Sequence, residues 1–249
     1  MLDEDQTAAA VAPEIDRLRL AAMNGSLRRG LPPEVIDAGL DQASGMLLAY
    51  LRNAWPDREV ARSSVHAVFT YQPDRPVDAL LDVLCERGLI EEPVPERIRL
   101  RPLGRDAVGA LHRTSAETVD ELWAGALDHV TAAAPLVARV LDDARATAGA
   151  ASALMAPQDL PGDLSASAVL AEQLTGLRFH RFDSHIAAWR AMGLGVGDLA
   201  GLDEERRTRL EVDTDRRAGV PYAGLSGTER STLLDHLAAL PGDAPSTSA

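Results

Sequence analysis

From Ser165 to Gly193 the chain holds a helix-length segment that has no polar face. At 100° per residue, Leu170, Leu174, Leu177, Ala188 and Met192 fall on one stripe, and Phe179, Phe182 and Ile186 cover another side. A helix that is apolar nearly all round must be wrapped by other elements. The spacing therefore predicts a central helix inside a helical core. Yet the stretch "LRFHRFDSHIAAWRAMGLG" carries Arg178, His180, Arg181, Asp183 and His185. Arg181 and His185 lie on the apolar stripe one turn apart, with Arg178 close beside them. Ionisable groups in such a setting have to be paired, hydrated or turned toward a cavity.

Partners are available further along. "RLEVDTDRRAG" places Glu211 and Asp215 at i, i+4 on one helical face, with Thr214 alongside. Two readings follow. In one, Arg181 is clamped by Glu211 or Asp215 and joins two helices. In the other, Arg178, Arg181, Asp183, His185 and Trp189 face Glu211, Thr214 and Asp215 across a pocket for a small polar or anionic molecule, since arginine grips carboxylate or phosphate at two points. His185 would titrate near neutral pH there as acid or base, with Arg181 stabilising charge, which makes these two the candidate catalytic residues. The reaction class stays open, and so does whether there is one. His180 and Asp183 could share an ion, but His185 points about 140° away from His180 on a helix. One helix cannot aim all three at a metal, so neither metal nor cofactor is expected.

Turn signals divide the remainder. The ends, 1–15 and 241–249, are small and polar and read as flexible tails. "PPEVIDAGLDQASGMLLAYLRNAW" has helical spacing behind Pro32 and Pro33, "DREVARSSVHAVFTYQ" reads as a second helix, and "RPVDALLDVLCERGLI" as a third, opened by Pro76 and closed by Gly88. Cys85, the single cysteine, sits in that apolar run and reads as a small buried hydrophobe. The period then changes. Ile98 and Leu100 alternate with Arg97, Arg99 and Arg101 after a turn at Pro93–Pro95, which predicts a β-hairpin. Beyond Thr114 the pattern is helical throughout, with a break expected at Pro135 and a capping box at Ser226 and Glu229. His66, His112, His129 and His236 stand isolated.

The order helix, turn, helix, "GLI", hairpin, "LRPLGRDAV" resembles the MarR-like winged-helix group, in which "GLI" and an L-T-P-x-G-R signature link recognition helix, wing and next helix. Pro102, Gly104 and Arg105 match, and Arg101 replaces the usual threonine. The match covers roughly residues 40–112 and places a winged-helix-like domain over 16–113; the helical pattern beyond it predicts an all-helical domain over 114–240 with the candidate ligand pocket. The fold class expected is mainly α, with a small hairpin wing in the N-terminal half. A second resemblance rests on His180, Arg181, Asp183, His185, Ile186, Ala187 and Ala188, and on Glu211, Thr214, Asp215 and Arg216 with Pro221, Tyr222, Ala223 and Leu225. These residues are similar to an actinobacterial helix-turn-helix-labelled family with H-R-x-D-x-H-I-A-A and E-x-x-T-D-R motifs. The label implies transcriptional regulation, with DNA as a partner and a homodimer.

Charge weighs against DNA. The formal net charge is −13, whereas nucleic-acid affinity is drawn largely from neutralised phosphates. Between Asp74 and Arg99, which should hold recognition helix and wing, seven acids face four bases. Asp78, Asp82 and Glu86 recur at i, i+4, i+8 and put three carboxylates on one stripe. The arginines left to meet phosphate are Arg58, Arg62, Arg75, Arg97 and Arg99. "GLGVGDLAG" follows a helix rather than a strand and is no nucleotide fingerprint. No run reaches the roughly 18 apolar residues of a membrane span, and the acidic N-terminus lacks the basic and apolar regions of a secretory signal. A cytoplasmic protein with no membrane partner is expected. The leading expectation is a small-molecule-binding protein on a winged-helix-derived scaffold; the alternative is a ligand-responsive DNA-binding regulator.

Overall fold

The computed structural model describes residues 2–51, 58–157 and 162–242. Over these residues the protein is mainly helical, with eleven α-helices and a small three-stranded antiparallel sheet. No helix among them is long and apolar enough to cross a membrane.

The chain opens with α1 (Glu4–Arg29), where a flexible tail was expected. Asp3 and Gln6 form a reciprocal capping box that satisfies the first free N–H groups. Thr7, Ala8, Val11 and Ile15 are buried, so the first turns are fixed by packing. Small alanines hid this face from a reading based on large apolar residues. Then come α2 (Pro33–Asp37) and α3 (Gln42–Tyr50), where one continuous helix was expected. Gly39, at φ +72°, ends the first piece. Residues 52–57, which include the end of that expected helix, lie outside the described segments.

Strand β1 (Val60–Ala61) precedes α4 (Arg62–Val68), in a stretch read from sequence as helix alone. Helix α5 (Val77–Glu86) follows, with Pro76 at its N-cap and Gly88 in the left-handed region just past its end. It buries Val77, Leu81 and Leu84, and this rotation leaves Cys85 exposed, contrary to expectation. Strands β2 (Ile90–Val94) and β3 (Arg97–Leu100) make the hairpin, and the sheet order is β1-β3-β2. Val60 pairs with Ile98, and Ile90 with Leu100.

Helix α6 (Pro102–Trp123) leaves the sheet directly. A Cβ on Gly104 would sit 2.0 Å from the Leu89 carbonyl oxygen, so only glycine lets α6 start this close to β2. The interruption expected at Pro135 occurs instead at Ala124–Ala126, a single 3-10 turn around Gly125. Helix α7 (Leu127–Ala144) runs through Pro135, because Val130, Ala133 and Val137 on its inner face are fully buried. The remaining helices are α8 (Ala150–Met155), α9 (Ala166–Ala191), α10 (Glu204–Gly219) and α11 (Gly227–Ala239). Ser226 and Glu229 cap α11 as expected.

Among the described residues the apolar side chains form three clusters. One joins α1, the C-terminal half of α6, α7, α9 and α11. A second joins α3, α4, α5, the sheet, the N-terminal half of α6, and α8. A third is small, around Ile186, Ala188, Trp189, Leu202 and Leu210. The expected boundary at 113/114 therefore falls inside α6, which serves both large cores, and residues 16–29 pack with the C-terminal half. Of the expected C-terminal tail, Pro241 is held by a hydrogen bond from the Trp123 indole to its carbonyl at 3.2 Å, and Arg17 donates to the Leu240 carbonyl beside it. Residues 243–249 lie outside the described segments.

Candidate functional site

Helix α9 contributes to all three clusters: Leu170, Leu174 and Leu177 to the first, Phe179 to the second, and Ile186, Ala188 and Trp189 to the third. This is why its sequence has no polar face. Its ionisable groups are handled one by one. Arg181 donates from Nη1 to Asp215 Oδ1 at 2.6 Å and from Nη2 to Glu211 Oε2 at 3.4 Å, both on α10. Arg178 donates from Nε to Asp16 Oδ1 of α1 at 2.7 Å. His180 is buried, and its Nε2 lies 2.8 Å from the Thr147 hydroxyl.

His185 is held by a residue from the other half of the chain. The Trp189 indole N–H donates to the Tyr71 oxygen at 3.1 Å, and the Tyr71 hydroxyl is hydrogen-bonded to His185 Nδ1. The direction of the Tyr71–His185 bond follows the imidazole tautomer: when Tyr71 donates to Nδ1, the neutral ring carries its proton on Nε2. That nitrogen is 3.9 Å from Glu211 Oε1. Burial lowers the His185 pKa; Glu211 opposes the shift and Arg181 assists it. Burial likewise lowers the His180 pKa, against Asp183. Burial raises the Tyr71 phenol, and it raises Tyr222 beyond the usual range against the pull of Arg181. Near neutral pH the site thus holds two neutral imidazoles and two protonated phenols.

These groups surround a cavity of about 210 Å³ between α1, α9 and α10. Five of the residues expected from sequence line it: Arg178, Arg181, His185, Glu211 and Thr214. Asp215 stands behind Arg181 as its firm anchor. Two expected residues work elsewhere. Asp183 accepts from the backbone N–H groups of Ser152, at 2.7 Å, and Ala151, at 3.4 Å, and so caps the start of α8. Its carboxylate fills the space a side chain at Gly149 would need: a Cβ there would lie 2.4 Å from Asp183 Cγ. Trp189 lies behind Tyr71 rather than on the cavity wall.

Comparison of the chain with protein-family models, with curated proteins and with solved structures gives no match.

Sequence reasoning missed Asp16 and Tyr71, and left His180 and Tyr222 out of the site. Asp16 lay next to a segment read as a tail. Tyr71 lies in the turn between α4 and α5, and nothing in its neighbourhood signals a partner in α9. Tyr222 carried a weak signal, as a lone aromatic in a proline turn after α10. The isolated histidines are also less solitary than they looked. His129 and His236 approach at 3.0 Å, and His112 lies 3.9 Å from Glu172.

The acidic stripe of α5 faces outward, with Asp78 and Asp82 exposed. Arg62 donates from Nε and Nη2 to Asp78 at 2.9 and 2.7 Å, and His66 joins the same carboxylate at 3.0 Å. Arg99 is paired with Glu91, Arg58 donates to the Ala153 carbonyl at 3.3 Å, and Arg75 lies over the Phe69 ring. Arg97 has Glu59 at 3.9 Å. Each of the arginines expected to meet phosphate thus has a contact within the chain.

Proposed function

We propose that the protein is a winged-helix-derived scaffold that binds a small polar or anionic molecule in the cavity between α1, α9 and α10, and that it does not read DNA. The element order α3, β1, α4, α5, β2, β3, α6 and the sheet order β1-β3-β2 support the scaffold and the MarR-like resemblance. The observation that carries the ligand reading is the convergence of Arg181, the Tyr71–His185 pair and Thr214 on one void.

The arginine already has carboxylate partners, so an incoming anion competes with them for its N–H donors. Asp215 is 22% exposed and close; Glu211 is 52% exposed and bonded at 3.4 Å. Glu211 is the exchangeable partner. A ligand carboxylate replacing it would take Arg181 Nη2 while Asp215 keeps Nη1. The same movement would leave His185 Nε2–H directed at the ligand. The volume lies below the roughly 300 Å³ at which drug-sized sites begin, so the ligand is small. Any chemistry would fall to His185, which can pass a proton at Nε2 with Tyr71 holding Nδ1.

The test is a thermal-shift series with acetate, malonate, succinate, phosphate and glycerol on the wild-type protein and on Glu211→Gln. A binder stabilises in proportion to ln(1 + [L]/Kd). We expect at least one of the acids to stabilise the wild type, and Glu211→Gln to bind it roughly threefold to tenfold tighter, since a competing carboxylate has gone. If none of the compounds shifts either protein, the ligand reading fails. The regulator reading would require duplex DNA binding by a dimer whose recognition helices lie about 34 Å apart.

A further inference from the structure

A second cavity, of about 460 Å³, lies between α1, α3, α6 and α9, further toward the C-terminal end of α1 and the N-terminal end of α9 than the first. Its volume is within the roughly 300–1,000 Å³ of small-molecule sites. Protein interiors leave few voids larger than a water molecule, so a hollow of this size between packed helices has to be explained. We propose that it is a binding site for a small uncharged molecule with an apolar body and one hydrogen-bonding head.

The body is indicated by the walls. Leu18, Trp123, Met155 and Leu174 form the deep part, and all four are almost completely buried. Met23, Leu27 and Met46 form the mouth and are exposed. A partner protein would cover the mouth but could not reach the floor, so the depth selects a small molecule. The head is indicated by polar groups on the wall. Buried Glu172 stands 3.9 Å from His112, and Arg19 donates from Nε to Thr175 at 3.2 Å. All four line the cavity. Both signs of charge are present there. An ammonium head would meet Arg19 and a carboxylate head would meet Glu172, each with a desolvation cost. A hydroxyl or amide, which donates and accepts, meets neither obstacle.

The probe is N-phenylnaphthylamine, an uncharged fluorophore with one N–H. The wild-type protein should bind it saturably at micromolar concentration, with decanol displacing it at least about tenfold more effectively than decanoate or decylamine, and malonate not displacing it. Phenylalanine at two opposite walls, Ala22→Phe and Ala49→Phe, should each abolish the signal in protein that still unfolds cooperatively. A readout on the unmodified protein guards against misfolded variants: the probe should slow peroxide oxidation of Met23 and Met46, while Met192, remote from the cavity, oxidises at an unchanged rate. Absence of saturable binding, binding retained in a folded filled variant, equal displacement by all three ten-carbon compounds, or unprotected mouth methionines would each overturn the proposal.

Discussion

The Tyr71 hydroxyl is hydrogen-bonded to His185 Nδ1, across 114 positions of the chain. One phenol thereby ties the turn after α4 to the C-terminal third of α9 and holds the imidazole at the cavity wall.

Replacing Tyr71 with phenylalanine removes two hydrogen bonds at once. The Trp189 indole N–H and His185 Nδ1 both lose their partner in a half-buried place. Leaving such groups unsatisfied costs about 1–3 kcal/mol. Urea denaturation of Tyr71→Phe should show a loss in that range with an unchanged m-value. Burial, the main cause of the lowered His185 pKa, is kept by this substitution, so the imidazole NMR titration of His185 should stay below its ordinary value.

Acid should weaken the fold before the carboxylates titrate. The folded-state pKa values of His180 and His185 lie below the ordinary 6.5. Below about pH 6.5 the unfolded chain therefore binds protons that the folded chain refuses. This contribution to stability is complete above that value and is lost as the pH falls through it toward the folded pKa values. The Tm should fall by a few degrees between about pH 7.5 and pH 5.5. His180→Gln, which can keep the bond to Thr147, should flatten the slope in a calorimetric series.

Asp215 and Glu211 should differ in what they contribute. Exposed pairs are worth about 0–1 kcal/mol, and breaking a buried one costs about 3–5 kcal/mol. The Arg181–Asp215 pair, with side chains 26% and 22% exposed, lies between these limits. Asp215→Asn should cost about 1–2 kcal/mol, and Glu211→Gln under about 0.5 kcal/mol. Equal losses in chemical denaturation would contradict the assignment of Glu211 as the exchangeable partner.

Duplex DNA should not bind. At about 150 mM salt, non-specific binders have Kd values of roughly 10⁻⁴–10⁻⁶ M. Fluorescence anisotropy with a mixed-sequence duplex should stay flat to at least that range. Asp78→Lys with Asp82→Lys should produce weak, steeply salt-dependent binding if the stripe on α5 is what repels phosphate. Tight wild-type binding in the same assay would favour the regulator reading.

The site's centre was legible because helical spacing is local information. Arg181, His185, Glu211 and Thr214 fall on predictable stripes, and the i, i+4 pair on α10 named the partners of Arg181 before any coordinates. Asp183 was misplaced since a carboxylate that caps a helix looks no different in sequence from one that lines a pocket. The hairpin was read from its alternation, but β1 was missed, as two residues carry no period. Asp3 and Gln6, spaced as a capping box, were the overlooked sign that the N-terminus folds. Cys85 follows Leu84 by 100°, and that rotation alone carries it from the interior to the surface.

Because α9 supplies walls to all three clusters, neither half of this chain is a natural fragment. A protein cut ahead of Ser165 would retain α1, α6 and α7 with their inner faces bare and would lose the Phe179 contact that closes the core beneath the sheet. Expression of truncated halves should give aggregates, and complementation between separately made pieces would demand that both contain this one helix.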